Sequence, residues 1–496
     1  MLVRAFAAVL VLLTAACASS DPSLVPTAQG PLRGEVRADG SVLFRGVPFA
    51  APPVGDLRWR APAPPAAWDG ERDATHVAPA CAQNSYGWNA EAAASGSEDC
   101  LYLEVRRPGA SAGVRLPVMV WIHGGSNRAG SGAGKVLSSM VDRGIVMVGV
   151  QYRLGAFGFL SHVALSEEPE THASGNYGLM DQIAALRWVQ ENIAAFGGDP
   201  DNVTIAGDSA GGQDVNLLLV APAARGLFAK AIAQSGTAQF GWPVRTLGEN
   251  EAIGAQLAEA IGARGDDPLI AMRAAPTARI LAADLALASP TLTDQSFLWL
   301  QAVVDGDVIP APPHDLMARG ASADAALLIG SNARELGLPG GAEGADAFAA
   351  MAFGAEAARA RALYSAPSDP RLGDRLEQMG TDVIFRCPAA ETALLHTRAG
   401  RAAYQYEFDH PATDGGVVRH GAELSYVSDN LPLGDTDVRM QDYWANFAKT
   451  GDPNGAGLPA WPRFDEASRG YITFSEAGAH VGANLRGPFC ALLPRL

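Results

Sequence analysis

Positive charge is scarce in this chain. Lysine and arginine together number 37 against 53 acidic residues, only three of the 37 are lysines, and the formal net charge is -16. A surface of that sign repels phosphate backbones and anionic headgroups, which argues against nucleic acid or an anionic membrane surface as a partner. Cysteine is rare too, at five in 496 residues. The sequence contains no His-Glu-x-x-His run and no paired cysteine ligands, so neither common zinc pattern applies and no metal or cofactor is expected. Long apolar runs are also missing: the small and apolar stretch 5–16 is too short to span a bilayer. No glycine/serine linker, charge run or internal repeat divides the chain, which reads as one large domain with long insertions.

Arg4 followed by the apolar stretch 5–16 reads as an export signal over residues 1–17. Leu13-Thr14-Ala15-Ala16-Cys17 resembles a bacterial lipoprotein box, with Thr14 where leucine is usual. The expectation is a lipidated Cys17, with plain cleavage near Ala16 or Ala18 as the alternative. The protein would then be periplasmic, an outer-membrane lipoprotein or secreted, touching membrane only through that anchor. Residues 18–33 read as a flexible linker and 34–496 as the folded domain. Export permits disulfides among Cys81, Cys100, Cys387 and Cys490, for which three connectivities exist. Cys81 and Cys100 bracket a short polar loop and make the easiest closure; Cys387 with Cys490 would then staple the C-terminus to the body. Four free thiols are the alternative.

Gly-x-Ser-x-Gly occurs twice. In Gly207-Asp208-Ser209-Ala210-Gly211 the motif follows a short buried strand and precedes the apolar helical run 215–220. That order makes a nucleophile elbow, a sharp turn that exposes the serine hydroxyl. The copy around Ser111 lies in a loop leading into a strand, with no helix after it, and reads as linker. Strands are expected at 101–105, 117–122, 145–151, 203–206, 231–235, 326–329 and 403–408, with a hairpin over 34–47. Helical patterns lie at 180–196, 223–228 and 249–261. Their alternation predicts an α/β fold, a mostly parallel, doubly wound sheet whose chemistry gathers at the carboxyl ends of its strands. The alanine-rich section 242–288 reads as a helical cap over the site.

Three features group with Ser209. His123-Gly124-Gly125-Ser126-Asn127 ends an apolar strand, and small residues there let backbone N–H groups approach a tetrahedral oxyanion alongside that of Ala210. Glu335 follows the strand at 326–329, and the glycines at 337, 340 and 341 suit a loop, where a single glutamate taken by itself reads as a solvated surface residue. Four histidines follow Glu335. His396 sits in an apolar helical run, His410 precedes Pro411 at a strand end, and His480 lies in a glycine-rich turn. His420, in a loop before 424–427, is the plausible base.

These residues resemble the type B carboxylesterases and lipases, the cholinesterase-like α/β-hydrolases. The marks include Phe44-Arg45-Gly46-Val47-Pro48-Phe49-Ala50-Ala51-Pro52-Pro53, Ser97-Glu98-Asp99-Cys100-Leu101, Tyr152-Arg153-Leu154-Gly155, Asn176-Tyr177-Gly178-Leu179-Met180-Asp181 and Gln234-Ser235-Gly236. The resemblance implies an α/β-hydrolase fold with helical cap insertions and a serine ester hydrolase that acts on small-molecule esters through an acyl-enzyme. Ser209, His420 and Glu335 would be the catalytic residues, and Gly125, Ser126 and Ala210 the oxyanion hole. It also implies the pairings Cys81–Cys100 and Cys387–Cys490, and the ion pairs Arg58–Glu98 and Arg153–Asp181. The chain departs from the family at Asp208, where glutamate is usual. It departs again at Ser126 and Asn127, where a small residue and an aromatic are usual, and at Asp214, where serine is frequent. The side chains of Ser126 and Asn127 would narrow the acyl side or make it more polar, pointing to a bulky or polar natural-product ester. Trp88 is either an aromatic wall of the gorge or a packed loop anchor. A non-catalytic binding module on the same fold is the competing reading.

Overall fold

The computed structural model describes residues 21–109, 114–241, 244–265, 267–287, 302–336, 341–365, 369–411, 417–429 and 431–494. The signal segment with Cys17, the loop serine at 111 and the glycines at 337 and 340 lie outside them.

Why a doubly covered sheet forms is visible in single strands. In Leu116–Ile122, Val118, Val120 and Ile122 enter one apolar cluster, while Met119 and Trp121 enter another on the opposite face. A strand apolar on both faces must be buried on both. The sheet runs in the order β14-β13-β12-β11-β10-β9-β7-β8-β6-β4-β3. Here β3 is Glu35–Val36, β4 Val42–Pro48, β6 Tyr102–Arg107, β7 Leu116–Ile122 and β8 Val146–Val150. The remaining members are β9 Gly198–Asp208, β10 Lys230–Gln234, β11 Ala326–Asn332, β12 Ala403–Asp409, β13 Gly470–Ser475 and β14 Gly478–Ala483. The central strands β8, β7, β9, β10, β11, β12 and β13 pair in parallel, and antiparallel strands close both edges. This is the α/β-hydrolase architecture. Helices α1 (Tyr177–Asn192) and α2 (Ala210–Val220) bury their apolar residues in the first cluster. The second is rich in aromatics, with Tyr404, Tyr406, Trp444, Trp461 and Phe474 packed edge to face.

The structure corrects several expectations. Residues 18–33 are no flexible linker where they are described: β1 (Leu24–Thr27) and β2 (Gly30–Arg33) pair antiparallel, and β2 pairs with β5 (Arg72–Asp73). Val25 and Leu32 are buried, and Gly30 at φ 146° leaves room for Trp68, which a Cβ there would meet at 2.5 Å, signals too short to stand out as periodicity. The helix expected at 223–228 is a single 3-10 turn, Pro222–Ala224. His480 lies in the edge strand β14, whose exposed, glycine-flanked residues carry little alternation. The cap is also displaced. Helices α3 (Leu247–Ala260), α4 (Pro268–Ala274) and α5 (Thr277–Ala286) bury Ile253, Leu257, Met272 and Ile280 in the main cluster, and none of their residues lines the cavity described below. Arg58 fastens α4 by donating to the carbonyls of Met272, Arg273 and Ala275 while pairing with Glu98 at 2.6 Å. After the helices α6 (Gly341–Phe353), α7 (Ala357–Tyr364) and α8 (Arg375–Thr381), the π-helical turn Asp382–Arg386 sends Ile384 and Phe385 into the wall of that cavity, which residues of the 77–95 stretch also line.

Both cysteine pairs form disulfides, Cys81–Cys100 and Cys387–Cys490. Such bonds persist in oxidising compartments, which fits an extracytoplasmic location. Among the described residues no helix is long and apolar enough to cross a membrane.

Candidate active site

Strand β9 ends at Asp208, and Ser209 forms the turn into α2 with φ 57° and ψ -123°. A non-glycine residue there costs about 1–3 kcal/mol and persists only where its surroundings over-determine it. Ser209 N donates to Gln234 O at 2.8 Å, and Gln213 N donates to Ser209 O at 2.9 Å. The flanking glycines are steric requirements. A Cβ at Gly207 would stand 2.5 Å from the Gly211 backbone, and one at Gly211 2.1 Å from Ile122 O. Ala210 opens α2, where first-turn N–H groups have no intrahelical acceptor.

The loop after β7 approaches this turn closely. A Cβ at Gly124 would lie 2.5 Å from Asp208 O and 3.0 Å from Ser209 Cβ. Gly125, Ser126 and Asn127 all have positive φ, at 107°, 59° and 56°. His123 stacks on Tyr152 at 4.5 Å, and burial pushes its pKa down to about 4, so it is neutral at ordinary pH. Gln83, next to the Cys81–Cys100 bridge, exchanges two hydrogen bonds of 2.8 Å with the Gly130 backbone and pins the far end of the loop.

Glu335 stands just beyond β11 with its carboxylate buried. Its Oε1 accepts from Ser235 Oγ and from Asn332 N, both at 2.7 Å, and its Oε2 lies 2.6 Å from His420 Nδ1. Burial opposes a charged imidazole, yet Glu335, with Asp208 and Glu423 behind it, outweighs burial and pushes His420 up to about 9. Burial raises Asp208, and Glu423 and Glu335 raise it further against the opposing pull of His420. Glu423 is raised by burial and by Glu335. One imidazole thus faces three carboxyl groups.

Ser209, Ala210, Gly125, Ser126 and His420 line one cavity of about 1070 Å³, with Glu335 beneath His420. Phe240, Phe385 and Trp88 add aromatic wall, and the Phe385 ring centroid lies 5.3 Å from that of His420. Trp88 is 65% exposed, which makes it a wall at the mouth and not a packed anchor. Asn127 departs from expectation: it is fully buried and donates to Asp214, so it does not narrow the cavity. Among the described residues no group of histidine, cysteine and acidic side chains could hold a metal ion. Two of the other late histidines sit in structural bonds, His396 Nε2 at 2.7 Å from Ala325 O and His410 Nδ1 at 2.8 Å from the Tyr426 hydroxyl.

The model of the carboxylesterase family matches residues 21–347 and 348–493. The chain belongs to the carboxylesterase family. It is 35% identical to a fumonisin B1 esterase of Sphingopyxis macrogoltabida, over 94% of this chain and 89% of that one. Identity to a human cocaine esterase is also 35%, over 86% and 82%. Among solved structures, a PNB esterase superposes with a TM-score of 0.83 at 31% identity, covering 96% of this chain and all of that one. This carboxylesterase is a carboxylic ester hydrolase.

Both ion pairs that the family resemblance implies are formed. Arg153 and Asp181 meet through Nη2 at 2.7 Å and Nε at 2.8 Å, almost wholly out of water. Sequence reasoning passed over Ser235, Asn332 and Glu423, which surround Glu335 and His420. Ser235 directly follows β10, which lies between the strands that lead to Ser209 and Glu335, and its signal in the sequence was its place in the Gln234-Ser235-Gly236 mark.

Proposed function

We propose that this carboxylesterase cleaves esters through an acyl-enzyme formed on Ser209. The observation that carries the reading is the 2.6 Å contact between His420 Nδ1 and Glu335 Oε2, beside a cavity that Ser209 and His420 both line. Glu335 holds the proton on Nδ1, which leaves Nε2 free to take the Ser209 proton during attack and return it to the leaving alcohol. Water then enters by the same route and releases the acid. The N–H groups of Gly125, Ser126 and Ala210 bind the developing oxyanion, each such donor being worth about 3 kcal/mol.

The preferred substrate is a bulky natural-product ester. The cavity volume and the aromatic mouth at Trp88 support that reading, as do the 35% identity to a fumonisin B1 esterase and the Ser126 side chain on the wall. The protein acts outside the cytoplasm after cleavage of its N-terminal export signal, a reading that the two disulfides support.

One experiment separates enzyme from binding module. Fluorophosphonate treatment of the folded protein, followed by peptide mapping, is expected to label Ser209, and Ser209→Ala is expected to lose roughly four orders of magnitude or more in ester turnover. Absence of the label with intact fold, or turnover retained by the variant, overturns the assignment. A panel of esters graded by acyl and alcohol size then tests the substrate class, and a preference for short acetate esters would refute it.

A further inference from the structure

Two residues depart from the family's usual pattern, Asn127 in the loop after β7 and Asp214 in α2. The structure joins them. Asn127 Nδ2 donates to Asp214 Oδ1 at 3.0 Å, and both side chains are fully buried. Asp214 Oδ2 accepts from Gln182 Nε2 at 2.5 Å. The Tyr152 hydroxyl lies 3.0 Å from Asn127 Oδ1 and donates to His123 O at 2.7 Å, while Asn127 O accepts from Gly155 N at 2.7 Å. Asn127 is therefore held through Nδ2 by α2 and through its backbone oxygen by the segment at Gly155, with the Tyr152 hydroxyl lying against Oδ1.

We infer that Asn127 and Asp214 are positioning residues that set the spacing between the two halves of the oxyanion hole. This rests on the proposed roles of Ser209, Gly125, Ser126 and Ala210. One half is the loop that carries the Gly125 and Ser126 N–H groups. The other is the first turn of α2, which begins at Ala210, and Asp214 is one helical turn further on. The Asn127–Asp214 bond is thus a strut from the residue after Ser126 to the helix that carries the third donor. Asparagine suits the near end because its short polar side chain tolerates the left-handed backbone seen there, φ 56°. The far end carries a cost: Asp214 is a buried carboxyl group with no ion pair among the described residues, and burial pushes it up to about 7. Two amide donors hold it there, and a gain in stability does not account for such a group. Oxyanion stabilisation depends on donors held within a few tenths of an ångström, so loosening the strut acts on the transition state more than on substrate binding.

Asn127→Gly tests this, because glycine keeps the left-handed backbone while removing the strut, together with the Oδ1 contact to Tyr152. The expected result is a ten- to hundredfold fall in kcat on a p-nitrophenyl ester with KM within about threefold. The Ki of a trifluoromethyl ketone, which forms a tetrahedral oxyanion on the serine, should rise in parallel. The Ki of the matching secondary alcohol, which forms none, should stay within about twofold; a merely structural defect would move both. Asp214→Ser should reproduce the loss, and Asp214→Asn should restore kcat to within about threefold, since Gln182 can turn its unpaired Oε1 toward the new amide. The double variant Asn127→Gly/Asp214→Ser should be no worse than either single one. A kcat for Asn127→Gly within twofold of the parent, or equal losses against ketone and alcohol, overturns the inference. Should Asn127→Gly not fold, Asp214→Ser and Asp214→Asn decide by the same readouts. If the unmodified protein itself neither takes the fluorophosphonate label at Ser209 nor turns over esters, the proposed catalytic residues fail; a labelled, active parent with indifferent strut variants sinks only the strut.

Discussion

Replacing Glu335 with glutamine changes one atom, and the surroundings dictate which one. Ser235 Oγ and Asn332 N both donate to Oε1 at 2.7 Å, so the amide oxygen of the variant must stay at that position. The alternative sets an NH₂ against the Asn332 N–H. The new NH₂ then occupies the place of Oε2, 2.6 Å from His420 Nδ1. Two donors cannot share that distance, so the imidazole gives up its Nδ1 proton and holds it on Nε2. The nitrogen that should accept the Ser209 proton is then already protonated. Loss of the correct tautomer in a serine triad costs about 10⁴ in kcat, or about 5.4 kcal/mol of transition-state stabilisation. Folding should survive, because removing one negative charge relieves Asp208 and Glu423, both raised in part by Glu335. Stopped-flow acylation with an activated ester measures the step, and thermal unfolding of the same sample checks the fold. A Glu335→Gln enzyme that acylates within tenfold of the parent would refute both the tautomer argument and the choice of acid.

Two further predictions follow from the buried charges. As the proposed base His420 would have to be neutral, and its carboxylate neighbours push its pKa from 6.5 up to about 9; kcat/KM should therefore rise with pH along a limb alkaline of 6.5. Asp208→Asn removes one of those neighbours, so the limb should move to lower pH, and a limb that stays put or moves up contradicts the electrostatic account. Arg153→Met leaves Asp181 charged and buried without its bidentate partner, which costs about 3–5 kcal/mol. The unfolding midpoint should fall by several degrees while kcat of the folded fraction holds; an unchanged midpoint would show that the pair contributes no stability.

Much of this protein could be read one residue after another. Alternating and continuous apolar runs located β6 to β12 to within a few residues, because a strand's burial is written in its own side chains. The elbow was legible for the same reason: Gly207 and Gly211 mark places where backbone comes too near for a Cβ, a local demand that leaves a local sign. Other features left no such sign. The edge strand β14 carries a weak pattern and exists through pairing with β13, whose own run Tyr471-Ile472-Thr473-Phe474 is strand-like but short. Residues 247–286 show the periodicity of helices, but periodicity says that a face is buried and not against what, so their seat on the main core, away from the cavity, needed coordinates.

Apolar period and turn chemistry were enough to outline the parallel sheet and to pick out Ser209 at its elbow, while the choice of Glu335, and its grouping with His420, came from the family resemblance. Tertiary structure alone decided that Asn127 and Asp214, 87 positions apart, share a hydrogen bond, and that three carboxyl groups crowd one imidazole. Local preferences act over a few residues of chain. The ionisation of a buried group and the partner of a buried amide are set by whatever the closed sheet brings within about 4 Å, and that distance has no counterpart along the sequence.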